Sequence, residues 1–287
     1  MDIITISIIS LASIGAIAAL ILYVIAQRFK VEEDPRIDEV EQLLPGANCG
    51  GCGKAGCRNF AESCVNAHSL EGMLCPVGGN ETMKKIASVL GKEAHEAEAR
   101  VAVVRCNGTC QYRPRTGIYE GASNCAIINS LYAGNTGCAY GCLGCGDCVS
   151  VCSLGAISID PNTGLPVVDI DICGGCGACA RACPRNIIEV RRKGPKGRGV
   201  YVSCVNKDKG GIARKACDVA CIGCGKCAKE CKFEAITIAN NVSYIDSDKC
   251  KMCRKCVDVC PTGAILAVNF PPKKVVEPTE TTTQQKQ

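Results

Sequence analysis

Four stretches of the chain repeat one arrangement of cysteines, C-x2-C-x2-C-x3-C. This run is typical of cubane [4Fe–4S] sites, because three thiolates at three-residue intervals can wrap one side of the cube. The fourth thiolate faces away and, in two-cluster ferredoxins, binds the partner cluster. The spacing therefore predicts pairs of clusters that exchange their fourth ligand. In the first pair we expect Cys142, Cys145, Cys148 and Cys183 on one cluster, and Cys173, Cys176, Cys179 and Cys152 on the other.

The second pair of motifs repeats the first at an offset of 77 to 79 residues. This offset indicates an internal duplication of a two-cluster unit. Each fourth cysteine precedes a tight turn into a short β-rich run, such as residues 156–159. One such motif could arise by chance or bind zinc, but four in register are specific for clusters. The ligands predicted in the second copy are Cys221, Cys224, Cys227, Cys231, Cys250, Cys253, Cys256 and Cys260.

A different spacing, C-x2-C-x4-C-x17-C, lies nearer the N-terminus. Glycines surround these cysteines, as expected where backbone amides approach cluster sulfurs and the chain turns tightly. Three of the glycines also match G-x-G-x-x-G, the dinucleotide-binding fingerprint. We reject that interpretation because the glycines interleave with thiols and no strand of a βαβ unit precedes them. The segment predicts a fifth cluster with Cys49, Cys52, Cys57 and Cys75 as ligands.

A further group of four cysteines precedes the first two-cluster unit and could hold a sixth cluster. The spacing Cys125-x12-Cys138-x3-Cys142, which leads into the first unit, recurs before the second unit as Cys204-x12-Cys217-x3-Cys221. Cys204 and Cys217 are thus two extra cysteines in the second copy. Either the first copy gained ligands, or the two extra cysteines are relics or serve structurally. We favour a cluster on the first group, which assigns 24 of the 27 cysteines. The ligands expected for it are Cys106, Cys110, Cys125 and Cys138. The cysteines left without a role are Cys64, Cys204 and Cys217.

The composition favours metal over disulfides. The chain has 287 residues, 27 cysteines, no tryptophan and 4% aromatic residues, so its core lacks large side chains. Clusters can supply the missing interior by cross-linking four chain positions each. An odd number of cysteines in dense C-x2-C runs suits a secreted disulfide scaffold or zinc ribbons poorly. No Ser-His-Asp set or carboxylate pair is visible, and we expect no catalytic residue.

The formal net charge of +5 counts every cysteine as neutral. A cluster held by four thiolates carries roughly −2, so six clusters would bring the chain to about −7. We therefore expect no nucleic-acid partner. One basic run, residues 191–198, is expected to form a loop. This loop is either a solvated turn or a docking patch for an acidic ferredoxin.

The elements that position these cysteines are predicted to be short helices and strands of an α+β fold. Residues 3–26 are uncharged and apolar, long enough to cross a bilayer once. Arg28 and Lys30 follow them, which favours a cytoplasmic location for the rest of the chain and argues against a signal peptide. Helices are expected before residue 44 and over 80–91, and a strand over 101–104. The predicted divisions are a transmembrane anchor (1–27), an N-terminal cluster domain (28–92), a linker with a possible extra cluster (93–138), two tandem ferredoxin-like units (139–195 and 196–270) and a disordered tail (271–287).

This order of parts resembles the B subunit of the Rnf complex, a membrane-bound ferredoxin–NAD oxidoreductase that pumps Na⁺ or H⁺. The resemblance covers nearly the whole chain. It is carried by the N-terminal helix and by residues 31–35 (VEEDP), 44–53 (LPGANCGGCG) and 140–148 (YGCLGCGDC). The departures are Ser153 and Lys232, which stand where proline usually follows the fourth cysteine.

The resemblance implies a cell-membrane protein that accepts electrons from soluble ferredoxin. It implies that these electrons pass along [4Fe–4S] clusters towards membrane subunits of the same complex and to NAD, and that this chain itself binds neither flavin nor NAD. The alternative is a membrane-anchored polyferredoxin that feeds a hydrogenase or dehydrogenase. A zinc protein with a structural or regulatory role is a third possibility, from a different class.

Overall fold

The chain begins with one long helix, α1 (Ile3–Arg28), whose described side chains are all exposed. The computed structural model describes residues 3–28, 34–131 and 134–271. At about 1.5 Å per residue, the 26 residues of α1 extend about 39 Å, more than the roughly 30 Å hydrocarbon core of a bilayer. The predicted N-terminal helix is confirmed, and α1 is long and apolar enough to cross a membrane. The tail predicted at 271–287 lies, except for Pro271, outside the described residues.

Three helices pack around the core of the N-terminal cluster domain. Phe60, Met83 and Ile86 are buried there, so large apolar side chains form the core of this domain. The last of its helices matches the one expected over 80–91 and ends at Gly91, whose φ of +64° suits glycine. The helices are α2 (Arg36–Leu43), α3 (Cys57–Asn66) and α4 (Gly79–Leu90).

The first ferredoxin-like unit consists of two antiparallel strand pairs and short helices. The outer pair joins the strand before the first motif to the strand after the second, with Ala102 opposite Val190. The strand expected over 101–104 is thereby confirmed, and it places part of the segment predicted as a linker inside the sheet of this unit. The elements are β1 (Arg100–Val104), α5 (Cys125–Ser130), α6 (Asp147–Ser150), β2 (Ile157–Ile159), β3 (Pro166–Val168), α7 (Ala178–Ala182) and β4 (Ile188–Arg192). Strand β1 pairs with β4, and β2 with β3.

The second unit repeats this topology. Its outer pair aligns Val200 with Ala267, and its inner pair aligns Thr237 with Tyr244. Buried cysteines and small aliphatic residues share its core. The elements are β5 (Gly199–Val202), α8 (Gly210–Ala216), α9 (Lys226–Glu230), β6 (Ile236–Ala239), β7 (Val242–Ile245), α10 (Lys255–Asp258) and β8 (Ile265–Val268). Strand β5 pairs with β8, and β6 with β7, so the predicted α+β fold with two tandem units is confirmed.

The basic run 191–198 begins inside strand β4, which corrects the expectation of an exposed basic loop. Arg191 is only 5% exposed, and its Nη1 donates to the carbonyl of Ile245, 2.9 Å away in the second unit. Its guanidinium also contacts Glu189 at 3.2 Å and lies over the ring of Tyr244. The pairing of β4 with β1 directs the Arg191 side chain into the interface, where it bonds the first unit to the second. Arg192 and Lys196 are the exposed charged residues of the run.

Candidate iron–sulfur sites

The first unit brings together the cysteines expected on its first cluster. Cys142, Cys148 and Cys183 line one cavity of about 370 Å³. Cys145 lies beside Cys125, a fifth cysteine that lines the same cavity. The fourth cysteine of the second motif thus faces the cysteines of the first, as the crossed arrangement requires.

The second set of the first unit shows the same exchange. Burial, together with the nearby thiols of Cys173, Cys176 and Cys152, raises the pKa of Cys179 to about 11. Cys152, the fourth cysteine of the first motif, therefore lies with the second motif. Cys148 lies near Cys179, so the two sets of this unit are neighbours.

The second unit repeats the crossed pairing. Cys227 of the third motif lies near Cys221 of its own motif and near Cys260 of the fourth. Conversely, Cys250 of the fourth motif lies near Cys231 of the third. The backbone N–H of Ser243 donates to Cys221 Sγ at 3.4 Å, the kind of bond that tunes the potential of a bound cluster.

The four cysteines of the C-x2-C-x4-C-x17-C spacing lie together in the N-terminal domain. Together they line a cavity of about 310 Å³ at the start of α3. The Gly78 N–H donates to Cys75 Sγ at 3.3 Å, and the side chain of Asn48 accepts from the Cys57 N–H. These contacts fix the loops around the cavity. The cysteines are Cys49, Cys52, Cys57 and Cys75.

The buried thiols of these sets stay protonated unless a metal replaces the proton. Burial raises the pKa of Cys142 and Cys256 to about 12, and that of Cys148 to about 11. Iron binds the thiolate, so its binding at these positions would release protons and couple cluster assembly to folding.

The arrangement of the sulfurs fits a cluster better than a single metal ion. A tetrahedral zinc with Zn–S bonds of about 2.3 Å needs its sulfurs roughly 3.8 Å apart. Among the described residues, no three Cys, His, Asp or Glu side chains converge closely enough for one ion. The cysteines instead surround cavities, which a cubane held by four thiolates would fill.

The four cysteines expected to hold a sixth cluster lie at three places. Cys110 is exposed, with its Sγ 3.8 Å from the Thr163 carbonyl. Cys125 lines the first cavity described above. Only Cys106 and Cys138 lie together, in a cavity that they share with Cys204 and Cys217. The spacing that linked Cys125 to Cys138 did not reveal this arrangement, because it depends on the packing of the second unit against the first, where the Asn107 N–H donates to the Ser203 carbonyl.

The N-terminal domain contacts the second set of the first unit directly. A Cβ on Gly51 would stand 2.7 Å from Cys176 Cβ, so only glycine allows this approach. Arg181 donates to the carbonyls of Cys176 and Cys49, at 3.2 and 3.1 Å. The thiols of Cys49 and Cys176 are themselves neighbours. Two cysteine sets that are far apart in sequence thus adjoin in space.

Comparison with known proteins agrees with these sites. The model of the 4Fe-4S dicluster domain matches residues 141–187 and 220–264, and that of a putative Fe-S cluster domain matches residues 44–77. The chain is 45% identical over 88% of its length to the B subunit of the Na⁺-translocating ferredoxin:NAD⁺ oxidoreductase complex of Acetobacterium woodii, of which it covers 74%. It belongs to the family of B subunits of ion-translocating ferredoxin:NAD⁺ oxidoreductase complexes.

Two further members of the family match over similar lengths. The B subunit of the proton-translocating ferredoxin:NAD⁺ oxidoreductase complex of Clostridium ljungdahlii is 43% identical over 89% of each chain. The B subunit of the ion-translocating oxidoreductase complex of Methanosarcina acetivorans is 41% identical, over 90% of this chain and 96% of its own. The resemblance drawn from the motifs is therefore confirmed, and the protein is an electron-transfer component of a multi-subunit redox complex.

Proposed function

We propose that this protein takes electrons from reduced soluble ferredoxin and delivers them towards the membrane redox subunits of its complex and NAD⁺, coupled to Na⁺ or H⁺ translocation. Clusters bound at the cysteine sets would supply one-electron carriers. The proposal is carried by one observation, the contact of successive sets. The N-terminal set meets the first unit at Cys49 and Cys176, and the two sets of that unit meet at Cys148 and Cys179.

The second unit offers the better docking face for an acidic donor. Two of its cysteines, Cys224 and Cys253, are exposed. Exposed lysines stand beside both motifs, so a negatively charged carrier would be attracted to the end where the ligands are accessible. These lysines are Lys226, Lys229, Lys232, Lys249, Lys251 and Lys255.

The first unit is covered at the corresponding positions. Cys145 lies against Cys125 of helix α5, and Cys176 lies against the N-terminal domain. The first motif also contains an acidic residue, Asp147, and no lysine or arginine. These features support entry of electrons at the second unit and their exit through the N-terminal domain, next to α1. We propose that α1 anchors the chain in the cell membrane with the cluster domains on the cytoplasmic side.

The direct test mixes the anaerobically purified chain with reduced low-potential ferredoxin and follows visible absorbance in a stopped-flow instrument. We expect rapid bleaching that slows as salt is added. No reduction at any salt concentration would contradict the ferredoxin donor. Co-purification of the chain with membrane flavoprotein subunits, rather than with a hydrogenase, would separate the proposal from the polyferredoxin alternative.

A further inference from the structure

One cavity between the two ferredoxin-like units is lined by four cysteines that no motif connects. Its empty space, counted with the part open to solvent, is about 340 Å³, similar to the 370 Å³ and 310 Å³ of the cavities in the first unit and the N-terminal domain on the same measure. Three of the four cysteines are less than 10% exposed, and all four are free. The four are Cys106, Cys138, Cys204 and Cys217.

Two of these sulfurs accept a hydrogen bond from an N–H group, and backbone N–H groups lie close to the other two. The Cys142 N–H donates to Cys106 Sγ at 3.5 Å, and the side-chain amide of Asn206, 1% exposed, donates to Cys138 Sγ at 3.6 Å. Backbone N–H groups of Cys221 and Asn206 reach Cys204, and that of Val219 reaches Cys217. Donors of this kind stabilise the negative charge of thiolates that bind a cluster.

The cavity also contains a guanidinium with two buried nitrogens that have no hydrogen-bond partner among the described residues. Arg113 lines it, and its Nε and Nη1 are buried without any acceptor among the described residues. A buried guanidinium normally has its donors satisfied, because an unpaired buried charge is costly. A group held by four thiolates with a net charge of roughly −2 would give these donors acceptors. Gly108 leaves room beside it, since a Cβ there would stand 3.3 Å from Cys217 Sγ.

The four cysteines are related by the duplication of the fold. Cys106 stands two residues after the end of β1, and Cys204 two residues after the end of β5. Cys138 and Cys217 each stand four residues before the first cysteine of their unit. Each unit thus contributes one cysteine from a strand end and one that precedes its motif. The Asn107 N–H donates to the Ser203 carbonyl at 3.1 Å, which holds the two strand ends together.

We propose that Cys106, Cys138, Cys204 and Cys217 bind a [4Fe–4S] cluster between the two units. This assignment deepens the proposed electron-transfer function and rests on it for its purpose. Cys106 adjoins Cys142 of the first unit, and Cys204 adjoins Cys221 of the second. The site therefore connects two units whose own cysteine sets lie on either side of it, and six sets form one uninterrupted series. Cys110 and Cys125 are not ligands of this cluster.

The test compares the two possible ligand sets by iron content. Cys204→Ser and Cys217→Ser are each expected to lower the iron of anaerobically reconstituted protein by about four atoms per chain, from about 24 to about 20. The double variant should lose no more than either single one, because both residues serve one cluster. The matched control, Cys110→Ser, changes an exposed cysteine outside this cavity and should retain about 24 irons.

Two results would overturn the site. Full iron in the Cys204→Ser and Cys217→Ser variants is one, and loss of about four irons from the Cys110→Ser control is the other. If the Cys204→Ser and Cys217→Ser variants lose all their iron, the iron content of the Cys110→Ser control and of the wild type decides whether the site binds a cluster. About 24 irons in both would support the site, and about 20 in the wild type would contradict it. None of these results depends on the donor, so the rate of reduction by ferredoxin tests the proposed function separately.

Discussion

The two ferredoxin-like units share one topology and one cysteine pattern but differ in what surrounds them. The first unit is enclosed: α5 covers Cys145, and the N-terminal domain covers Cys176. The corresponding cysteines of the second unit, Cys224 and Cys253, are exposed among lysines. In our proposal the duplicated motif supplies the ligands in both units, whereas the surroundings determine whether a unit receives electrons from solution or passes them inward.

The largest expected effect comes from separating the two units. Arg191→Met removes the bond to the Ile245 carbonyl and the contacts with Tyr244 and Tyr201 while keeping the volume of the side chain. We expect a loss of about 3 kcal/mol, from one unsatisfied buried carbonyl and two cation–π contacts. Denaturant unfolding followed by cluster absorbance measures it.

The control for this variant is the neighbouring residue. Arg192→Met removes only an exposed ion pair with Glu98 and should cost less than about 1 kcal/mol. Equal stability of the two variants would mean that the interface does not hold the units together.

The next effect concerns the enclosed end of the first unit. Gly51→Ala places a Cβ against Cys176 and should destabilise the contact by about 1–3 kcal/mol. Hydrogen exchange should then increase in the loops around Cys49 and Cys176 and remain unchanged in the second unit. Gly211→Ala, in helix α8 with open space around it, serves as the control. Unchanged exchange in Gly51→Ala would show that the two loops do not pack closely.

A smaller effect is expected at the exposed end. Lys226→Glu with Lys229→Glu reverses charge beside Cys224 and should slow association with reduced ferredoxin by about tenfold at low salt, since steering supplies roughly 10- to 1,000-fold. Its salt dependence should weaken as well. The same change of charge in Lys84→Glu with Lys85→Glu, on helix α4, should have little effect. Equal slowing by both pairs would indicate long-range charge rather than a docking face.

The smallest effect is expected from the remainder of the basic run 191–198. Arg192→Glu with Lys196→Glu changes the two exposed charged residues of the run and should slow reduction by less than about threefold, because they lie outside the motifs with exposed cysteines. Stopped-flow reduction at two salt concentrations measures it. A decrease in the rate of reduction as large as that of the Lys226/Lys229 variant would indicate that ferredoxin binds at this run.

Local sequence determined much of the fold and most of the candidate ligands. Cysteine spacing predicted the crossed sets, because all members of a motif lie within a few residues of one another. It did not reveal Cys204 and Cys217 as a pair with Cys106 and Cys138, since that grouping depends on the chain after β1 meeting the chain after β5, where the Asn107 N–H donates to the Ser203 carbonyl. The equal spacing before the two units aligned Cys204 with Cys125, whereas its structural counterpart is Cys106.

The same limit applies to Arg191. A run of arginine and lysine predicts an exposed surface when it is considered alone. The pairing of β4 with β1 and the packing of the second unit bury the Arg191 guanidinium, and neither contact is visible in the local sequence.

The most direct test of the central claim is the iron and sulfide content of the full chain purified without oxygen, combined with spectroscopic counting of reducible [4Fe–4S] centres. Six cysteine sets in one series require about 24 irons and six reducible centres per chain. About eight irons, or protein that is colourless and contains zinc, would contradict the account.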